Sequence, residues 1–145
     1  MNRTAPVWMT SLLWILAAIT FINGIAMFFF PGAWFFKLVP GVPETGPYNM
    51  HLVMDSGTFF LGVGLGLVAA AMSPYRNAIA VAIAAVASTM HAGLHLWSHA
   101  EGLLTWNAAA TEIFGIYIPT LALIALAIML YRPTAQPAAH AVHAA

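Results

Sequence analysis

The sequence predicts an all-α fold: an integral membrane bundle of four transmembrane helices. Hydrophobic residues make up 62% of the 145 residues and charged residues only 6%, whereas soluble domains carry about 25% charged residues. The apolar residues form four long stretches, each close to the roughly 20 residues that a helix needs to cross a bilayer. The predicted spans cover residues 7–30, 48–72, 77–97 and 107–131. Residues 1–132 therefore form one predicted transmembrane domain.

The first span is predicted to remain in the protein rather than to be cleaved as a signal peptide. Its apolar run is longer than the hydrophobic region of a typical signal peptide, and the aromatic sequence FFFPGAWFF follows it in place of small residues. Pro31 ends this span. The next residues, Ala33–Val39, are rich in aromatic side chains, which favour the membrane–water interface. We therefore expect a short interfacial segment after the first helix.

The other spans each carry a feature that bears on helix packing. In the second span, Gly62 and Gly66 have the GxxxG spacing that allows another helix to approach closely. The third span begins with an alanine-rich run, and Pro119 in the fourth span is a kink that membrane helices tolerate. Residues 133–145 form a low-complexity tail that we predict to be disordered.

The few cationic residues predict the orientation of the bundle. Four spans place both termini and the loop between the second and third spans on the same side of the membrane. That side carries Arg3, Arg76 and Arg132, whereas the opposite side carries only Lys37. The positive-inside rule then predicts cytoplasmic termini in a bacterial inner membrane.

Composition also excludes several classes of function. The formal net charge is zero, so the chain has no basic surface for nucleic acid. Cysteine is absent, which removes disulfides, thiolate metal sites and thiol nucleophiles. Phosphate-binding loops and nucleophile–base arrangements are not visible either. The sequence leaves open whether the protein is an enzyme.

Three histidines at the end of the third span are the most informative polar feature. His91, His95 and His99 are four residues apart in the segment STMHAGLHLWSHAEG, so each successive pair lies on one side of a helix. In the predicted orientation His99 is at the periplasmic surface, His95 is about one turn deep and His91 about two. His91 and His99 are about 12 Å apart along the axis, so a single metal ion cannot easily bind all three.

Other ionisable residues are predicted at the same end of the bundle. His51 and Asp55 are also four residues apart and share one side of the second span. At a rise of about 1.5 Å per residue, Asp55 and Glu112 lie at the depth of His95, with His51 closer to the surface. Asp55 has no membrane-embedded lysine or arginine as a partner, although buried acids usually pair with another group.

These groups predict a transition-metal site near the periplasmic face. Helical histidines at i and i+4 can chelate one ion, and a cation would compensate the charge of Asp55. Mixed imidazole and carboxylate ligands suit zinc or iron, and copper if methionine contributes. The candidate ligands are His95, His91, Asp55, Glu112, His51 and His99. Such a site would be compatible with a place in a larger membrane oxidoreductase.

Three other functions stay open on the sequence alone. His51 together with His95 or His99 could be the axial ligands of a b-type haem. Alternatively, the acids and histidines could form the relay of a proton-coupled transporter. In the third interpretation they only lock helices together in a non-catalytic accessory or assembly subunit. The expected partners are then the lipid bilayer and either a larger membrane complex or further copies of the chain.

The segment NMHLVMDSG (Asn49–Gly57), followed by HAGLH (His91–His95), resembles a pattern in small bacterial four-helix membrane proteins of the DoxX-like type. The resemblance covers the second and third spans and implies a four-helix bundle. It also implies that the family motif includes His51, Asp55, Gly57, His91 and His95. This chain has Met54 where the pattern has an arginine before the acid, which removes the expected partner of Asp55. The resemblance implies no particular activity.

Overall fold

The computed structural model describes residues 4–106 and 109–132, and within these ranges all regular structure is helical. Four helices are long and apolar enough to cross a membrane, and they cover Val7–Phe29, Met50–Met72, Ala78–Ala100 and Ile113–Tyr131. The predicted all-helical architecture with four candidate spans is confirmed. Insertion in a bilayer and cytoplasmic termini stay predictions. The predicted tail 133–145 and the predicted start of the fourth span at Asn107 lie outside the described residues.

The helices are labelled in chain order. They are α1 (Val7–Phe29), α2 (Pro31–Ala33), α3 (Met50–Met72), α4 (Ala78–Ala100), α5 (Ala109–Glu112) and α6 (Ile118–Tyr131). A π-helical stretch, Ile113–Tyr117, joins α5 to α6. Pro119 is the second residue of α6 and lies just after this π-helical stretch, and local π-helical adjustments of this kind accommodate proline in membrane helices.

The segment predicted to lie at the interface packs against α1 and α3. After α2 it continues as a π-helical stretch, Trp34–Leu38, and a 3-10 turn, Val42–Thr45. The indole Nε1 of Trp34 donates a hydrogen bond of 2.8 Å to Oδ1 of Asn23 in α1. Phe35 is buried in a small apolar cluster with Met27 of α1 and Val53 of α3. These contacts fix the segment over one end of the α1–α3 pair.

Close packing of α1 against α3 depends on glycines that differ from the predicted GxxxG pair. A Cβ atom added at Gly57 would lie 2.9 Å from the backbone nitrogen of Phe28, and one added at Gly64 would lie 3.0 Å from Cα of Phe21. At Gly62, by contrast, an added Cβ would meet nothing within 4 Å. The expectation that Gly62 supports a tight helix contact is therefore wrong within the described chain, where Gly57 and Gly64 have that role.

The main hydrophobic core lies in the half of the bundle next to the turn between α3 and α4. All four long helices contribute to it, with Leu13, Leu67, Val81 and Leu126 almost completely buried. The side chain of Asn77 braces the adjacent turn by donating to the carbonyl oxygen of Ala69 at 2.7 Å. The opposite end, where α3 begins and α4 ends, is called the histidine end below. Its buried side chains include polar groups.

Candidate functional site

The centre of the histidine end is the carboxylate of Glu112, the last residue of α5. Glu112 is only 6% exposed. Its Oε2 lies 2.7 Å from Nε2 of His99, and its Oε1 lies 3.1 Å from Nδ1 of His95. An ionised carboxylate can only accept hydrogen bonds, so both imidazoles donate to it. Two turns of α4 are thereby joined to the start of the last membrane helix.

His99 is held on three sides. Its Nδ1 lies 3.2 Å from the carbonyl oxygen of Leu104, opposite the bond from Nε2 to Glu112. The ring also stacks on Trp106, with centroids 4.3 Å apart and planes 11° from parallel. The carbonyl oxygen of Leu104 can only accept, so Nδ1 of His99 donates to it and Nε2 is left to face the carboxyl group of Glu112. Both ring nitrogens of this buried histidine are therefore engaged.

The third histidine of the stripe has a different environment. The ring centroid of His91 lies 4.7 Å from that of His95 and 6.3 Å from that of Phe60 on α3. Both contacts are edge-on contacts between rings, and His91 makes no ion pair in the described part of the chain. His91 therefore extends the stripe toward α3 without joining the carboxylate.

His51 and Asp55 lie on the outside of the bundle. Nε2 of His51 is 3.2 Å from Oδ2 of Asp55, and the two side chains are 86% and 54% exposed. Their direction follows from the packing of α3. Gly57 faces α1, and a residue two positions earlier points about 200° away on a helix of 3.6 residues per turn. Asp55 must therefore face away from α1.

The predicted transition-metal centre is wrong. The residues that the structure describes contain no group of three or more His, Asp or Glu side chains that could hold a metal ion. Both oxygens of the Glu112 carboxylate are already engaged by imidazole nitrogens. The proposed ligand set of His95, His91, Asp55, Glu112, His51 and His99 is split between a buried triad, a ring contact and an exposed pair. The haem alternative stays a prediction.

Sequence reasoning missed a link between the two loops of the histidine end. Oε2 of Glu44 accepts a hydrogen bond of 3.0 Å from the backbone N–H of Thr105 and one of 2.8 Å from its hydroxyl. These donors hold the pKa of the Glu44 carboxyl below its ordinary value of 4.5. The sequence shows only that Glu44 is an acidic residue in a loop, and this observation does not identify Thr105 as its partner.

The link between Glu44 and Thr105 should break in acid. Because the pKa is lowered in the folded protein, the link stabilises the loops above pH 4.5 and is lost as the pH falls through the lowered value. We expect the amide of Thr105 to be protected from hydrogen exchange near neutral pH and unprotected in strong acid. Glu44→Ala should remove the protection at every pH.

The amide of Leu103 is the internal control for this measurement. It donates to the carbonyl oxygen of Ser98 at 2.9 Å and does not contact Glu44. Its protection factor should be the same in Glu44→Ala as in the unaltered chain. Equal loss of protection at Leu103 and Thr105 would show general loosening of the loop and contradict the assignment.

No protein-family model, curated protein or solved structure matches this chain. The class that the structure defines is that of an all-helical protein with four candidate membrane spans, and its function must be argued from the polar groups at the histidine end. The DoxX-like resemblance stays a prediction.

Proposed function

We propose that this protein is a non-catalytic subunit of an assembly in the bacterial inner membrane, and that it docks through the outer surface of α3. The observation that carries the proposal is the position of Asp55. Its carboxylate is 54% exposed on the outside of a helix that is otherwise apolar enough to cross a membrane. Lipid is an unfavourable neighbour for this group, and another protein is a suitable one.

The depth of Asp55 supports a protein neighbour. Asp55 is five residues into α3, about 8 Å from the first residue of a helix about 35 Å long. The hydrocarbon layer is about 30 Å thick, so a helix centred in this layer would hold the carboxylate inside its edge. Acids at membrane depth usually face a helix interface or an aqueous cavity, because their exposure to lipid costs up to about 3 kcal/mol.

The chain itself does not cover this group. The only ion-pair partner of Asp55 in the described ranges is His51, which is 86% exposed. The helix that packs most closely on α3 is α1, and Gly57 and Gly64 direct that contact to the opposite side. The charge of the pair therefore faces outward, where a neighbouring helix can cover it.

The buried polar groups support a structural role for the rest of the histidine end. His99 and Glu112 are each 6% exposed, and their polar atoms bond to one another, to His95 and to Leu104. Such a saturated network holds α4 and α5 in one arrangement.

Photo-crosslinking from α3 tests the proposal. A photoreactive amino acid in place of Phe59, which is 75% exposed beside Asp55, should give an adduct of discrete protein mass in native membranes. The matched control is Leu121 on α6, which is 65% exposed and equally apolar. We expect only lipid adducts from position 121. Similar lipid-only products from both positions would contradict the proposal.

A further inference from the structure

The π-helical stretch of the last membrane helix, Ile113–Tyr117, directly follows Glu112. We propose that this stretch is a register device: its one extra residue, held in place by Pro119, decides that Glu112 rather than Ile113 faces α4. The device determines whether the last span buries an acid or an apolar side chain against the imidazoles of α4. The proposal goes beyond the docking of α3 and does not depend on it.

The π-helical stretch contains one residue more than an α-helix of the same length. The backbone N–H of Ile118 donates to the carbonyl oxygen of Ile113, five residues earlier, whereas an α-helix uses the residue four positions earlier. Each residue of an α-helix advances by about 100° around the axis. The extra residue therefore turns α5 by about 100° relative to α6.

Two buried polar side chains reveal this rotation. The hydroxyl of Thr120 on α6 donates to the carbonyl oxygen of Ser88 on α4 at 3.3 Å. Glu112 lies eight residues earlier, so in a continuous α-helix it would point about 80° away from Thr120. Because the π-helical stretch takes up one of these residues, the angle falls to about 20°. Both residues are 6% exposed, and both side chains bond to α4.

Ile113 occupies the outward direction in the same register. It is 46% exposed, and Phe114 after it is 74% exposed. In a continuous α-helix Ile113 would be seven residues from Thr120 and within about 20° of it. Such a helix would place the isoleucine against α4 and turn Glu112 away from His95. The two registers therefore exchange an acid for an apolar side chain at one contact.

Pro119 accounts for the π-helical form. In a continuous α-helix it would have no N–H to donate to the carbonyl oxygen of Gly115, and its ring would collide with that oxygen. Local π-helical turns accommodate such a proline in membrane helices. The stretch has room for this turn, since none of its residues is fully buried and a Cβ added at Gly115 would meet nothing within 4 Å in the described part of the chain. Pro119 is thus a positioning residue for Glu112.

Thiol crosslinking from α4 to positions 112 and 113 tests the register in the full chain, which contains no cysteine. His95→Cys is combined with Glu112→Cys in one chain and with Ile113→Cys in a second. A short bifunctional thiol reagent, applied in membranes, should link the 95–112 pair, whose original side chains are 3.1 Å apart. The 95–113 pair should stay largely unlinked. Equal yields for the two pairs would overturn the proposal.

Two changes at the stretch should reverse this preference and then restore it. Pro119→Ala allows a continuous α-helix, so the 95–113 pair should become the better linked one. Deletion of Gly115 from the Pro119→Ala chain removes the extra residue and should return the preference to the 95–112 pair. Leu121→Ala, at a residue of the same helix that is 65% exposed, is the control and should leave the original preference unchanged.

The two changes separate the parts of the proposal. A preference for the 95–112 pair that survives Pro119→Ala would overturn the positioning role of the proline. A reversed preference that deletion of Gly115 does not undo would overturn the one-residue register.

Discussion

Replacing Glu112 with alanine should lower the free energy of unfolding by about 2 kcal/mol, because it removes the shared acceptor of two imidazoles. Hydrogen bonds between membrane helices contribute less to stability, on average, than those in water-soluble proteins. The expected loss is therefore about 2 kcal/mol and not more. Burial of His99 adds to the loss, since its Nε2 would then lack a hydrogen-bond partner. Reversible unfolding in mixed micelles measures the effect.

Two further variants make the test of Glu112 specific. Glu112→Gln keeps the shape of the side chain and one acceptor oxygen, so its effect should be smaller than that of alanine. Glu101→Ala removes an exposed acid beyond the end of α4 and should change stability by less than about 0.5 kcal/mol. Equal losses for Glu101→Ala and Glu112→Ala would show that the buried triad does not stabilise the bundle.

Gly57→Leu should separate α1 from α3 and destabilise the monomer by about 3 kcal/mol. An added Cβ at this position lies 2.9 Å from the backbone nitrogen of Phe28 and 3.1 Å from the carbonyl oxygen of Gly24. Backbone atoms of a facing helix cannot rotate out of the way as a side chain can. The helices must therefore move apart, which exposes the small cluster around Met27 and Val53.

The matched variant Gly62→Leu changes the same helix by the same side chain. Its Cβ meets nothing within 4 Å in the part of the chain that the structure describes, so the stability of the protein in detergent should change little. Reversible unfolding in mixed micelles measures both variants. Gly62→Leu that unfolds as readily as Gly57→Leu would contradict the packing described for α3.

The contrast between these glycines shows how far the sequence predicts the fold. Apolar stretches of sufficient length predicted the four candidate spans, because that signal depends only on composition along the chain. The rotation of α3 about its axis was not predictable from GxxxG spacing. It is determined by contacts of Gly57 and Gly64 with α1, and spacing does not reveal which glycines meet a neighbouring helix.

The unknown rotation of the helices also explains which residues meet at the histidine end. The rise per residue correctly placed Glu112 level with His95, and the two side chains form a 3.1 Å contact. Asp55 was expected at that level too, but depth does not fix direction, and α3 turns Asp55 outward. The third span was predicted to end at residue 97 with His99 at the surface, whereas α4 continues to Ala100 and buries His99 against Glu112.

The mass of the photoadduct formed from position 59 in native membranes tests the central claim most directly. If α3 is a docking surface for another membrane protein, the adduct will have a discrete protein mass and will be lost with Asp55→Leu, whereas position 121 will yield lipid adducts only. An adduct at position 59 that contains lipid alone, with or without Asp55, would contradict the account.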